Sequence, residues 1–190
     1  MQKGIVTKEQ AAELKSVLKL KRTGFDVYLP SDTEVKETLA AIKDHRVKTL
    51  IKLMLYSGCR VIEGIKMLTE FEPSKLHFVD GVAFYDMNWI RHNKRANKLF
   101  MPASFAKQLD QIYISERILY KNWTYRMKPK HCRNWFANKL LQLGVTESIL
   151  AFMLGHSTRT TLSAHYLELM NNSLKSYKRA MPALQAIIEQ

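Results

Sequence analysis

Several large classes of protein are excluded by what this sequence has little of. It contains 2 cysteines in 190 residues, too few for a disulfide framework or a zinc site of their own. No apolar run approaches the roughly 18 residues that a bilayer-spanning helix needs. The first twenty residues are dotted with Lys and Glu and have no apolar leader core, so ordinary secretion is not expected. There is no internal repeat and no low-complexity tract. Acids are scarce in one place above all: none occurs from Arg117 to Thr146, where Arg117, Lys121, Arg126, Lys128, Lys130, Arg133 and Lys139 all lie.

What is there is an ordinary globular composition, with 46% hydrophobic and 25% charged residues. The length suits one well-cored domain, or one domain with a helical appendage. Net charge is the outlier, at +13. It is also uneven: residues 1–86 carry 14 basic and 12 acidic side chains, a net of +2, and residues 87–190 carry 16 and 5, a net of +11. Such an excess implies a polyanionic partner, either nucleic acid or an anionic membrane surface. The bases of the acid-free stretch form no clean amphipathic stripe, which disfavours the membrane. They alternate with Tyr120, Trp123, Tyr125 and Trp135, a mixture suited to phosphate contact with stacking or packing on sugar and base.

Hydrophobic spacing predicts a mainly helical α+β chain. A short amphipathic helix is expected over residues 7–20 and a linker over 21–30. Ser31 or Asp32 should cap a helix bearing Val35, Leu39 and Ile42. Val47, Leu50, Ile51, Met54 and Leu55 predict a buried helix stopped at Ser57-Gly58, and Val61, Ile62, Ile65 and Leu68 the next. From Leu76 to Met101 the period changes to two. Asp80-Gly81 signals a hairpin, and a three-stranded antiparallel sheet is expected, with a polar turn over residues 92–98. Helices resume with Phe105, Leu109, Ile112 and Tyr113 on one face, then from Pro129 to Gly144, then from Thr146 to Gly155. A short segment to Met170 and a last helix from about Ser173, kinked or restarted at Pro182, complete the reading.

Five positions stand out, although each alone has an ordinary structural explanation. Arg60 follows a glycine turn at a helix start, with Glu63 as an i,i+3 partner. Lys94 sits in the second hairpin, Arg133 on the Trp135/Phe136 helix, His156 just past a helix end, and Tyr166 ten residues later. In order and spacing they resemble the tyrosine recombinases, the integrase family. Tyr56-Ser57-Gly58-Cys59-Arg60-Val61-Ile62-Glu63 is similar to the first arginine box, and Lys130-His131-Cys132-Arg133-Asn134-Trp135-Phe136-Ala137 to the second. Leu154-Gly155-His156-Ser157 is similar to the family's Leu-Gly-His-Ser step, and Thr160, Thr161 and Tyr166 to its ending. Lys130 stands where the family usually has histidine; His131 is one residue out of register and does not inherit the role. That lysine, with the Trp89-x-Arg91-x-x-Lys94 hairpin, resembles integrases of archaeal viruses and plasmids of the spindle-shaped type.

The resemblance implies a site-specific recombinase with the tyrosine-recombinase catalytic fold, over residues 31–190, working on DNA attachment sites in the host cell's cytoplasm without metal, ATP or other cofactor. Arg60 and Arg133 would neutralise the non-bridging oxygens of one phosphate, with Glu63 behind Arg60. Tyr166 would be the nucleophile, Lys94 the acid for the leaving 5′ oxygen, and His156 and Lys130 the groups that hold the phosphate or take the phenolic proton. Arg91, Arg95, Lys98, Arg126, Lys128, Lys139 and Arg159 would hold the duplex. The partners would be double-stranded DNA and further copies of the chain, a monomer alone and a tetramer in synapsis. The terminal helix, residues 173–190, would dock on a neighbour or pack in cis through Leu184, Ile187 and Ile188. Residues 1–30 are too few for the family's DNA-clamping domain, so a truncated or naturally reduced form is expected. A type IB topoisomerase or a non-catalytic DNA binder are the alternatives. Cys59 and Cys132, each directly before an arginine, are expected to be small buried apolar residues, with a redox-sensitive site as the other reading.

Overall fold

The computed structural model describes residues 28–91, 94–156 and 163–190; of residues 90, 91, 94–97 and 163–165 it describes the backbone alone. The helix expected over 7–20 and most of the linker lie outside these ranges.

Helix α1 spans Asp32–Ala41 and starts where its polar residues finish the first turn. The Ser31 hydroxyl accepts the Glu34 N–H at 3.2 Å, and the Glu34 carboxylate accepts the Ser31 N–H at 3.0 Å, a reciprocal cap. Asp44 caps α2, His45–Ser57, by accepting the Arg46 N–H at 3.0 Å. Helix α2 is the core of the domain: Leu50, Ile51, Leu53, Met54, Leu55 and Tyr56 are all fully buried. Helix α3, Val61–Thr69, packs on it through a different face from the one its apolar residues predict. Glu63, Gly64, Met67 and Leu68 are inside, and Val61, Ile62 and Ile65 only partly so. Two close contacts turn the helix. Arg60 pairs with Glu63, and Gly64 lies so near α2 that a Cβ would stand 2.6 Å from Leu50 Cδ1.

The sheet has three antiparallel strands in the order β1-β2-β3, with β1 Leu76–Val79, β2 Val82–Arg91 and β3 Lys94–Pro102. Asp80 and Gly81 turn the first hairpin with φ of 50° and 84°, the left-handed pair such a two-residue turn requires. The second hairpin is longer than expected. Pairing continues through Trp89↔Ala96, Ile90↔Arg95 and Arg91↔Lys94, so Lys94–Lys98 are strand residues and not turn. An irregularity between Asp86 and Trp89, with Asn88 at φ 44°, bends the ladder midway. Trp89 lies under the Lys66 ammonium of α3, 5.4 Å from ring centroid to nitrogen.

Beyond the sheet, α4 is only Ala103–Ala106. The helix face expected through Leu109, Ile112 and Tyr113 does not form, because the backbone finds partners elsewhere. The Ile112 N–H donates to the Leu68 carbonyl at 2.9 Å, the Thr69 hydroxyl to the Ile114 carbonyl at 3.2 Å, and the Gln111 side-chain amide to the Thr69 carbonyl at 2.8 Å. Tyr113 is exposed as a result. Helices α5, Glu116–Tyr120, α6, His131–Gln142, and α7, Glu147–Met153, follow. Helix α8 runs without a break from Ser163 to Ile188. The division near Met170 and the restart at Pro182 are therefore absent. Leu169, Met170, Ser173, Tyr177, Ala180, Leu184, Ile187 and Ile188 form one buried stripe along its length, and burial of that stripe holds the helix through its proline. Leu184, Ile187 and Ile188 thus pack in cis. Helix α8 touches α1, α2, α7, β2 and β3.

Pro182 is exposed, so it contributes ring strain and a missing N–H but little packing. Pro182→Ala should raise stability by about 1–3 kcal/mol in urea unfolding; a fall would contradict this account of α8.

Candidate active site

Arg133 projects from the first turn of α6 into a place where two other helices end. Its Nη1 donates to the Gly58 carbonyl at 2.9 Å, at the C-terminus of α2. Its Nη2 donates to the Leu154 carbonyl at 3.0 Å, at the C-terminus of α7. Helix C-termini leave carbonyls without intrahelical donors and carry partial negative charge, so each end is completed by this cation and stabilises it in return. Burial, and after it the neighbouring Arg60 charge, push the Arg133 pKa down to about 10, which leaves it protonated near neutrality.

Arg60 is the residue before α3. Its N–H and its Nη1 both reach the Glu63 carboxylate, at 2.7 and 2.6 Å, and Glu63 is 5% exposed. The carboxylate therefore fixes the backbone and the side chain of the arginine together. Arg60, Arg133 and Lys130 line one cavity of about 340 Å³ with Met54, Cys59, Val61, Ile62 and Glu116. Glu116 is its only carboxylate among the described lining residues, and sequence reasoning missed it because α5 offers no motif. Equally absent from the motif is the role of Gly58. Its φ is +64°, and a Cβ there would meet Phe136 Cδ1 at 2.4 Å and Leu154 Cδ2 at 2.7 Å.

His156 Nε2 lies 3.0 Å from Arg133 Nη2. Arginine has no acceptor, so Nε2 is the acceptor, the imidazole is neutral and its proton is on Nδ1. The pKa shift agrees: burial, then Arg133 and Arg60, lower it from the ordinary value. Tyr166 stands in the first turn of α8, 38% exposed. Its ring packs edge-on to Phe152 of α7 at 5.3 Å, and its hydroxyl makes no hydrogen bond among the described residues. Lys94 opens β3 at the far end of the long hairpin; its side chain, and those of Arg91 and Arg95, lie outside the described part, as does Arg159. His131 is buried and structural: its Nδ1 accepts the Lys128 N–H at 3.0 Å, and its ring lies 4.6 Å from that of Tyr28.

Among the expected DNA-holding bases, Arg126 and Lys128 are exposed, and Arg126 lies over the Tyr28 ring at 5.3 Å. Two others do internal work. Lys98 pairs with Asp86 and lies 4.6 Å over the Phe84 ring, with its side chain 15% exposed. Lys139 pairs with Asp32 at 2.5 Å, 17% exposed. Held and half-desolvated, these are ties within the fold rather than free phosphate contacts. Of the aromatics of the acid-free stretch, Tyr120 is exposed and the other three are tied to the fold. Trp123 donates to the Met127 carbonyl at 3.0 Å, Tyr125 to that of Ala41 at 3.0 Å, and Trp135 to Asp32 at 2.9 Å. They shape the loop that presents the cations instead of offering stacking surfaces. Cys59 and Cys132 are free and buried. Burial pushes the Cys59 thiol up to about 12 and the Cys132 thiol higher than ordinary too, so neither is a reactive thiolate.

Two outcomes follow. Gly58→Ala should cost about 2–4 kcal/mol through its left-handed backbone and the overpacking against Phe136 and Leu154, measured by denaturation; a change near zero would contradict the close approach. His156 should titrate below the ordinary histidine value of about 6.5 in an NMR titration. Because the fold favours the neutral form, the stability linked to this group is present above about pH 6.5 and is lost as pH falls through the lowered folded value. Arg133→Gln should raise the midpoint part of the way, since burial is the larger cause; an unchanged midpoint would contradict the contact.

No curated protein matches the chain. A family model does, described as archaeal phage integrase, over residues 27–183. That span takes in both arginines, the cavity between them and the whole sheet, and with it the chain belongs to the archaeal phage integrase family, recombinases whose partner is DNA.

Proposed function

We propose that this integrase is of the tyrosine type, cutting and rejoining DNA through a 3′-phosphotyrosyl ester in a catalytic domain of residues 31–190. The observation that carries the reading is the pair of guanidinium groups on one cavity, Arg60 fixed by Glu63 and Arg133 fixed by two helix-end carbonyls. Planar, permanently charged forks match the non-bridging oxygens of a phosphodiester, where negative charge grows in the transition state. Of the five N–H groups of an arginine, Arg133 has committed three among the described residues, to Gly58, Leu154 and His156. The others are left for phosphate.

The Tyr166 oxygen attacks phosphorus as the bond to the 5′ oxygen breaks, so the phosphoryl group passes from DNA to the phenol. The energy of the broken ester is kept in the new one, and religation reverses the step. Lys94 delivers a proton to the departing 5′ oxygen, and its position on a long two-stranded arm lets it approach from outside the helical body. His156, with Nε2 held by Arg133, offers Nδ1–H and acts as a donor to phosphate, not as the base. That leaves Lys130, at the cavity, to receive the phenolic proton or hold the phosphate. Arg126 and Lys128 contact the duplex backbone, and recombination proceeds in a homotetramer on DNA.

A nicked suicide substrate tests this directly. The parental chain should become covalently joined to DNA, and Tyr166→Phe should not. Arg60→Ala and Arg133→Ala should each slow joining by roughly 10²–10³-fold or more. Joining should persist in EDTA. No covalent product from the parental chain, or an undiminished one from Tyr166→Phe, would overturn the proposal; a Lys130→Ala variant that joins at the parental rate would remove Lys130 from it.

A further inference from the structure

The C-terminal end of α2 is unusual in how its carbonyls are satisfied. The Ser57 hydroxyl donates to the Leu53 carbonyl at 2.7 Å, and the Gly58 N–H to that of Met54 at 2.9 Å. The Tyr56 carbonyl would ordinarily take the N–H four residues on, which is that of Arg60. That N–H is turned to Glu63. In its place the Tyr56 carbonyl accepts the Tyr177 hydroxyl at 2.9 Å, a bond closed off from solvent. Tyr177 is completely buried, with its ring 5.8 Å from that of Phe100. The side chain of the same Tyr56 reaches the residue just past the end of α8, its hydroxyl donating to the Glu189 carboxylate at 2.8 Å. One residue is thus held twice, its backbone by α8 and its side chain by the residue that follows that helix.

Of the two elements joined this way, one leads into Arg60 and the other carries Tyr166. Four residues after Tyr56 comes Arg60. Eleven residues before Tyr177, about 16 Å along the helix, comes Tyr166. We propose that Tyr177 and Tyr56 are positioning residues: by tying α8 to the end of α2, the Tyr177–Tyr56–Glu189 contacts set the nucleophile's helix in register with the turn that carries Arg60 and the Gly58 carbonyl. The inference rests on the reading of Tyr166 as nucleophile. A rigid link suits that chemistry, since attack requires the phenol oxygen near phosphorus while both arginines hold it, and a displacement of about 1 Å can cost 10²-fold. The Tyr177 hydroxyl also explains how Arg60 can spend its N–H on Glu63 without leaving the Tyr56 carbonyl bare in the core.

The test is single-turnover joining to the suicide substrate at saturating DNA, with rate constant and final amplitude read separately and DNA affinity measured by anisotropy. Tyr177→Phe should lower the rate constant roughly 10- to 100-fold while amplitude and affinity stay near parental values. Tyr56→Phe, which keeps the carbonyl bond and loses only the Glu189 contact, should lower it less. A purely structural role would lower amplitude, the fraction of competent molecules, and leave the rate constant alone; that result overturns the inference while leaving the nucleophile assignment intact. Should Tyr177→Phe not fold, Tyr56→Phe decides, and a parental rate constant there overturns the proposal. Failure of the parental chain to join at all would overturn the nucleophile assignment and this inference with it.

Discussion

A half-buried guanidinium organises this molecule. Arg133 joins α6 to the end of α2 through the Gly58 carbonyl and to the end of α7 through the Leu154 carbonyl. An uncompensated cation in such a place would cost several kcal/mol. Two carbonyl acceptors at helix C-termini offset much of that cost. The same two bonds lock the turn before Arg60 and the turn before His156, so three segments distant in sequence are set against one another by a single side chain. Gly58 is what lets them close, since any Cβ there would collide with Phe136 and Leu154.

The remaining charge falls into two groups once the fold is known. Some cations are structural: Lys98 on Asp86 ties the sheet, and Lys139 on Asp32 ties α6 to the start of α1. Others, such as Arg126 and Lys128, are exposed on a loop whose shape is kept by Trp123 and Tyr125. Each of these tied lysines is matched by an aspartate, so the net charge of +13 comes from unmatched cations such as Lys128, the proposed surface for DNA.

Much of this was legible in the sequence where local chemistry decides. The cap at Ser31, the stop at Gly58, the Asp80-Gly81 turn and the three-stranded sheet each follow from residues acting on their neighbours. Reading failed where distant partners decide. The face of α3 is set by Glu63 and Gly64 against α2, the segment after Phe105 is held by Leu68 and Thr69, and α8 is kept whole by a stripe that meets five elements. At the site, the arginines, His156 and Tyr166 were singled out by resemblance to the recombinase boxes; the structure sets Arg60, Arg133 and His156 close together, and the role of Tyr166 is a proposal. The carbonyls of Gly58 and Leu154 could not be found that way, since backbone groups leave no mark in sequence, and Glu116 had no pattern to betray it. The tie between Tyr177 and Tyr56 joins residues far apart along the chain and was equally invisible.

The central claim is that a phosphate held by Arg60 and Arg133 is attacked by Tyr166. Its most direct measurement is mass spectrometry of the tryptic peptides from the covalent DNA complex after nuclease digestion. The account predicts a nucleotide on the peptide of residues 160–175, with fragmentation placing it on Tyr166. A nucleotide on Tyr120, an exposed tyrosine near Lys130, or on any other residue, would contradict it.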